Sequence, residues 1–127
     1  MSKQQWITEN LKSGEEYAGL ILGKDGPKDY HLILLPDQAN DVNWAAAMAW
    51  AKTVGGELPT RREQSLLFAN LKDRFEPRLY WSCEKYASAY GYAWFQYFGN
   101  GSQNGIHENN KFRARAVRKS IRAPPAC

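Results

Sequence analysis

Between Tyr80 and Arg118 the chain reads YWSCEKYASAYGYAWFQYFGNGSQNGIHENNKFRARAVR. Aromatic and small apolar anchors recur there at short intervals, and Tyr, Ser, Asn, Gln and His fill the gaps. Three short stretches, Leu79 to Ser82, Tyr92 to Phe98 and Arg113 to Lys119, are rich in aromatic or strand-favouring residues and are separated by Gly, Asn and Ser. This pattern restricts the segment to short strands joined by irregular loops. The filler is unusual for a core or a catalytic site. Large aromatics beside Ser, Gly and Asn are what paratopes use, rigid contact area next to adaptable hydrogen bonding.

The upstream half follows different rules. Tyr17 to Leu22 and Tyr30 to Leu35 are apolar runs separated by Gly23 to Asp29, so a β-hairpin is predicted, with Pro36 closing its second strand. Asn43 to Val54 is Ala-rich and free of breakers; Asn43 or Asp41 can cap this helix and Gly55-Gly56 can end it. Thr60 and Glu63 form a capping box for a second helix, with Leu66, Leu67, Ala69 and Leu71 at helical spacing and Pro77 as the stop. Residues 1–14 read as an N-terminal extension, in which Trp6, Ile7 and Leu11 are spaced like one face of a short helix. Residues 120–127, rich in Pro, read as a flexible tail. The expected architecture is one α+β domain spanning 1–127: an N-terminal β-hairpin, two helices, then a small antiparallel sheet with long irregular loops. Trp44, Trp81 and Trp94 are expected in its core.

At 127 residues and 43% hydrophobic content the chain can bury one core. Its longest apolar runs, Leu32 to Leu35 and Ala45 to Ala51, are far shorter than a spanning helix, so no membrane insertion is expected. No apolar stretch of the secretory kind follows Met1, which predicts synthesis in a cytoplasm without a signal peptide. Cys83 and Cys127 are too few for a disulfide framework or a zinc site; a bridge between them would be unusual in a reducing compartment. The net charge is +4, and the excess is local: from Lys111 onward there are six Lys or Arg and no acid. Arg113, Arg115 and Arg118 are therefore candidates for an anionic ligand or nucleic acid. The competing reading is a terminal strand of solvated or salt-bridged arginines.

Gly56-Glu57-Leu58-Pro59-Thr60-Arg61-Arg62-Glu63, Tyr80-Trp81-Ser82, Ala93-Trp94, Phe98, Gly101 and Arg115-Ala116-Val117-Arg118 together resemble a bacterial and phage domain family with a C-type lectin-like fold. Legionella collagen-like adhesin tips are similar, as are the variable proteins of diversity-generating retroelements. The resemblance covers about residues 55–118, roughly half the chain. It implies a C-type lectin-like fold and a ligand surface made by the residues between the anchors. Position by position these are Tyr86, Ser88 and Tyr90 after the first strand, and Phe95 and Tyr97 on the strand of Trp94. Asn100, Ser102, Asn104, Ile106, His107 and Asn109 complete the surface. Strand alternation agrees: if Trp94 and Phe98 face a core, Phe95 and Tyr97 point outward. Against this stands the plainer reading that Asn/Gly/Ser loops are simply loops.

The function implied is a non-enzymatic module recognising a protein or glycan, phage or prophage encoded, and virion-associated or acting in the host cytoplasm. The alternative is a small intracellular phage-encoded inhibitor that binds a host defence protein or a nucleic-acid complex. One departure stands out: relatives carry Ser or Thr where this chain has Cys83, expected here as a small buried filler. Sequence signals for other chemistry are weak. The acids are scattered and no calcium-lectin loop is present, so no metal and no cofactor are expected. The two cysteines do not match a paired-cysteine copper site of the formylglycine-generating relatives. Cys83 with His107 is conceivable as a nucleophile and base by residue type alone. His31, inside an apolar run, reads as a satisfied core or edge residue.

Overall fold

The structure is a computed structural model and describes residues 2–24 and 28–121. The two apolar runs pair as predicted: β1 (Glu16–Ile21) lies antiparallel to β2 (Tyr30–Val42). Across the other edge of β2 runs β6 (Phe112–Ile121), also antiparallel. β3 (Leu79–Lys85), β4 (Tyr92–Tyr97) and β5 (Gln103–His107) form an antiparallel meander. One parallel pair, Tyr80 with Arg113, joins β3 to β6. The result is a single six-stranded sheet in the order β1-β2-β6-β3-β4-β5, mixed rather than purely antiparallel, in an α+β fold.

Two expectations about strand ends are corrected. Pro36 does not close β2, which runs thirteen residues to Val42. Its pairing with β6 jumps from Leu34 to Gln38, and β1 reaches only as far as Leu34, so no ladder bond is asked of the proline nitrogen. At the other terminus, Ser120 and Ile121 still pair with His31 and Tyr30, so the strand continues into the predicted tail. The rest of that tail, 122–127, lies outside the described residues, as do positions 25–27 of the hairpin turn.

Local chemistry accounts for the helices. α1 (Lys3–Asn10) starts at a capping box between Ser2 and Gln5. It is not a detached extension: Trp6 packs on the rings of Tyr17 and His31, at 5.2 and 4.1 Å between centroids. α2 (Trp44–Thr53) is capped by the Asn43 carboxamide, which accepts the Ala46 N–H, and is followed by Gly55 at φ 86°. That left-handed conformation is one that glycine adopts without a Cβ penalty. α3 (Arg61–Leu71) opens on the predicted Thr60–Glu63 box. It gives way to a 3-10 turn, Lys72–Arg74, before Pro77.

α2 and α3 cover opposite faces of the sheet. Against α3 lie Ala18, Ile21, Leu32, Leu34, Tyr80, Phe98 and Val117, with Leu67 of the helix at the centre. Against α2 lie Leu35, Trp81, Ala93, Ala114 and Ala116, with Ala47 and Ala51 of the helix. Trp81 and Leu67 are completely buried, each side chain contributing about 1.5–3 kcal/mol through area removed from water. A glutamine ladder ties α3 to the far strands. The Gln64 side chain donates to the Tyr80 and Trp81 carbonyls, and Gln96 donates to the Gln64 carbonyl at 2.8 Å. Gln103 in turn donates to Gln96 Oε1 at 2.7 Å. Among the described residues no helix is long and apolar enough to cross a membrane.

Candidate functional site

With both faces of the sheet covered, alternation along β4 sorts side chains between two packed layers. Trp94, Gln96 and Phe98 face α3, and Phe98 stacks on Phe75 with centroids 4.0 Å apart. Ala93 and Phe95 face the α2 layer, where Phe95 lies 6.0 Å from Phe112 and packs against the cluster around Trp81. Phe95 therefore does not point outward. Ile106, paired opposite Ala93, packs against the same cluster. Both leave the proposed ligand surface, because parity separates core from solvent only when one face is bare. Trp94 and Trp44, expected in the core, are instead half buried at its rim. The Trp44 indole N–H donates to the Ser82 carbonyl at 2.9 Å.

The α3 side of the β4–β5 hairpin carries an aromatic patch at the hairpin's open end. Trp94 is its floor. The Arg61 guanidinium lies 3.8 Å over the indole centre, and the Tyr86 ring contacts the same indole at 4.6 Å. Arg61 is held at the first turn of α3, where its backbone N–H donates to Glu84 Oε2 at 2.7 Å. Tyr92 stands 6.4 Å from Tyr86 and meets its cross-strand partner His107 edge-on at 5.6 Å. Tyr90, at the tip of the 86–91 loop, is fully exposed at 103%. Ser88 and Asn109 are exposed in the same loop and in the adjoining 108–111 turn, which is joined to the first by a Glu108 N–H to Gly91 carbonyl bond of 2.9 Å. The Lys85–Glu108 ion pair, 3.3 Å, borders the patch.

The remaining predicted positions do not join it. Tyr97, Asn100 and Ser102 lie at the opposite end of β4, about 17 Å away at the usual strand rise. Asn100 Oδ1 accepts the Ser102 N–H at 2.9 Å and so holds its own turn. Asn104 accepts the N–H of Gly105 at 2.8 Å and lies on the α2 side with Ile106. The eleven-residue surface thus resolves into one cluster, Tyr86, Ser88, Tyr90, His107 and Asn109, plus residues with structural work elsewhere. Arg61, Tyr92 and Trp94 complete that cluster; the sequence marks Trp94 as a core anchor and Arg61 as part of the helix-opening motif, and none of the three as a ligand residue. Tyr92 was findable from its shared parity with Trp94; nothing local marks Arg61 as a ring partner.

The basic terminal strand resolves in the same way. Arg115 is buried, donating to the Arg74 carbonyl at 2.6 Å and the Leu35 carbonyl at 2.8 Å, with its guanidinium 5.2 Å from the Phe75 ring centre. Burial holds it below the ordinary arginine value. Arg118 forms two bonds to the Glu15 carboxylate, 3.0 and 2.7 Å, and a third to the Asn10 carbonyl. Arg115 is thus withdrawn from solvent, and Arg118, though 26% exposed, has its guanidinium engaged by Glu15 and Asn10. The Arg113 guanidinium, half buried, has among the described residues a single hydrogen bond, to Asn40 at 3.3 Å, and no ion pair.

Cys83 is a free, half-buried thiol on the α2 face of β3, and burial pushes it up to about 11. Its partner in a Cys–His pair, His107, stands on the α3 side of β5 beside Tyr92, so the two are not assembled into a nucleophilic site. Cys127 lies outside the described residues. His31 is satisfied as expected, bonded through Nδ1 to the Tyr17 hydroxyl at 2.8 Å and packed on Trp6. Among the described residues no three His, Cys, Asp or Glu side chains converge as a metal site would require.

No family model matches the chain, and no curated protein is significantly similar to it.

Proposed function

We propose that this protein is a non-enzymatic binding module of the C-type lectin-like kind, recognising a protein or glycan through the open end of its β4–β5 hairpin. Full exposure of Tyr90 beside the Tyr86, Tyr92, Trp94 and His107 patch carries this reading. A tyrosine held at a loop tip with no packing role offers contact area at little conformational cost. Its neighbours form the fixed platform from which such anchors act. The fold-family part of the reading is supported by the chain's first long strand pairing with its last, and by Trp81 and Trp94 on adjacent strands. A phage or prophage source belongs to the same reading through the anchor motifs.

The test uses Tyr90→Ala and the double variant with Tyr92→Ala, both at exposed positions, checked for unchanged circular dichroism and melting. Wild-type protein is screened on immobilised glycans, intact bacterial cells and clarified lysate, and every ligand found is titrated with the variants. A loss of about tenfold or more in the double variant supports the site. Equal affinity in both would place the contact elsewhere. Ligands confined to the cell exterior support receptor recognition, and ligands confined to lysate support an intracellular inhibitor.

A further inference from the structure

A second concave site lies at the mouth formed by β2, β3 and β6, built from different residues. Asn40, Asp41, Arg78, Leu79, Lys111, Phe112 and Arg113 enclose a cavity of about 260 Å³. Three of these side chains are cationic and one is acidic. Among the described residues the Arg78 side chain donates only to the neighbouring Pro77 carbonyl, at 3.1 Å, and the Arg113 side chain only to Asn40. Lys111 is exposed. None of the three has a carboxylate within ion-pair distance among the described residues. Leu79 and Phe112 supply apolar walls.

On the rim sits Asp41, at φ 56°, the one non-glycine residue in the left-handed region among those described. It interrupts the pairing of β2 with β6, where the register shifts between Ala39 and Val42. A residue kept in a sparsely populated conformation at the edge of a pocket is a common signature of a working site.

We propose that this pocket binds a small ligand carrying a phosphate or carboxylate group with a hydroxyl or N–H beside it. The three cations satisfy the oxyanion through charge-assisted hydrogen bonds. The Asp41 carboxylate, acceptor only, takes the neighbouring donor and disfavours a bare or second anion. The same geometry argues against a nucleic-acid track. Arg115 is buried and Arg118 is paired with Glu15, so the three remaining cations of this region line one cleft instead of following a backbone, and Asp41 in the same lining would repel the next phosphate along it.

The experiment is an amide and arginine side-chain NMR titration of the full chain with inorganic phosphate, glycerol 3-phosphate, lactate and glycerol. Expected are shifts confined to residues 40–41, 78–79 and 111–113 with at least one of the two substituted anions, and none with glycerol. Preference for glycerol 3-phosphate over lactate assigns a phosphate head, and the reverse a carboxylate. Lys111→Gln, at an exposed position that cannot unfold the protein, weakens binding about tenfold. Asp41→Asn removes the preference for glycerol 3-phosphate or lactate over inorganic phosphate. The proposal is overturned by shifts elsewhere or by none with any anion. It is also overturned if Lys111→Gln binds as the wild type does, or if a twelve-nucleotide single strand binds more tightly than every small anion.

Discussion

A Cβ built on Gly105 would fall inside the ring of Tyr86. The two residues are nineteen apart in sequence, yet the tyrosine can rest on Trp94 only because its cross-strand partner has no side chain. Gly105→Ala therefore has one way to be accommodated: Tyr86 must leave the indole. Overpacking of this kind costs about 1–3 kcal/mol. Urea denaturation should show that loss, and the summed emission of the five tryptophans should shift to the red as the Trp94 ring becomes wetter. Unchanged stability and emission would mean that the Tyr86–Trp94 contact does not exist in solution.

What the sequence could reveal depended on whether the deciding interaction was local. Caps at Asn43 and Thr60, the hairpin of β1 and β2 and the terminal strand itself follow from short-range patterns, and each is found; the pairing of that strand with β2 does not. β5 was not foreseen, because Gln103-Asn104-Gly105-Ile106-His107 has little strand propensity and is held by pairing with β4 and by the Gln103–Gln96 bond. The candidate surface was half legible. Composition picks out the two loops that come together beside the aromatic patch, but alternation alone sorts core from solvent. The α2 layer, contributed by residues fifty positions away, turns Phe95 and Ile106 inward. The arginines show the same limit. Nothing in Arg113-Ala114-Arg115 tells which guanidinium will meet two buried carbonyls.

Arg115→Lys separates a structural from a ligand role for that strand. The guanidinium fork spans two carbonyls from different segments, Arg74 and Leu35, and lies against Phe75. A lysine ammonium cannot reproduce both bonds and the ring contact in one geometry. The variant should lose about 1.5–3 kcal/mol, the worth of hydrogen bonds from a charged donor. Equilibrium denaturation measures this. A wild-type denaturation midpoint would show that the fork contributes nothing to the fold.

Cys83 tests the α2 layer. Raising its value from 9.0 to about 11 leaves the native thiol protonated near neutral pH, with on the order of a hundredfold less thiolate than an ordinary cysteine. Iodoacetamide at about pH 8 should modify it slowly in the native protein and rapidly in denaturant, with peptide mapping to separate it from Cys127. Fast native labelling of Cys83 would contradict its burial under α2.

The junction between the N-terminal segment and the last strand should give stability an acid-sensitive component. The Glu15 carboxyl is held below its ordinary value, first by its hydrogen bonds from Arg118 and then by the Lys12 N–H and the charge of Arg118, against opposing burial. A group whose folded value is depressed favours the native state once pH exceeds the unfolded value, near 4.5. That contribution is lost as pH falls through the folded value. Glu15→Gln should therefore melt below the wild type at about pH 7, and the difference should shrink steadily as pH is lowered through about 4 toward 2. Arg118→Met should show the same convergence, since it removes the other half of the pair. A gap between wild type and Glu15→Gln that stayed constant across this range would assign the loss to packing and not to the Glu15–Arg118 pair.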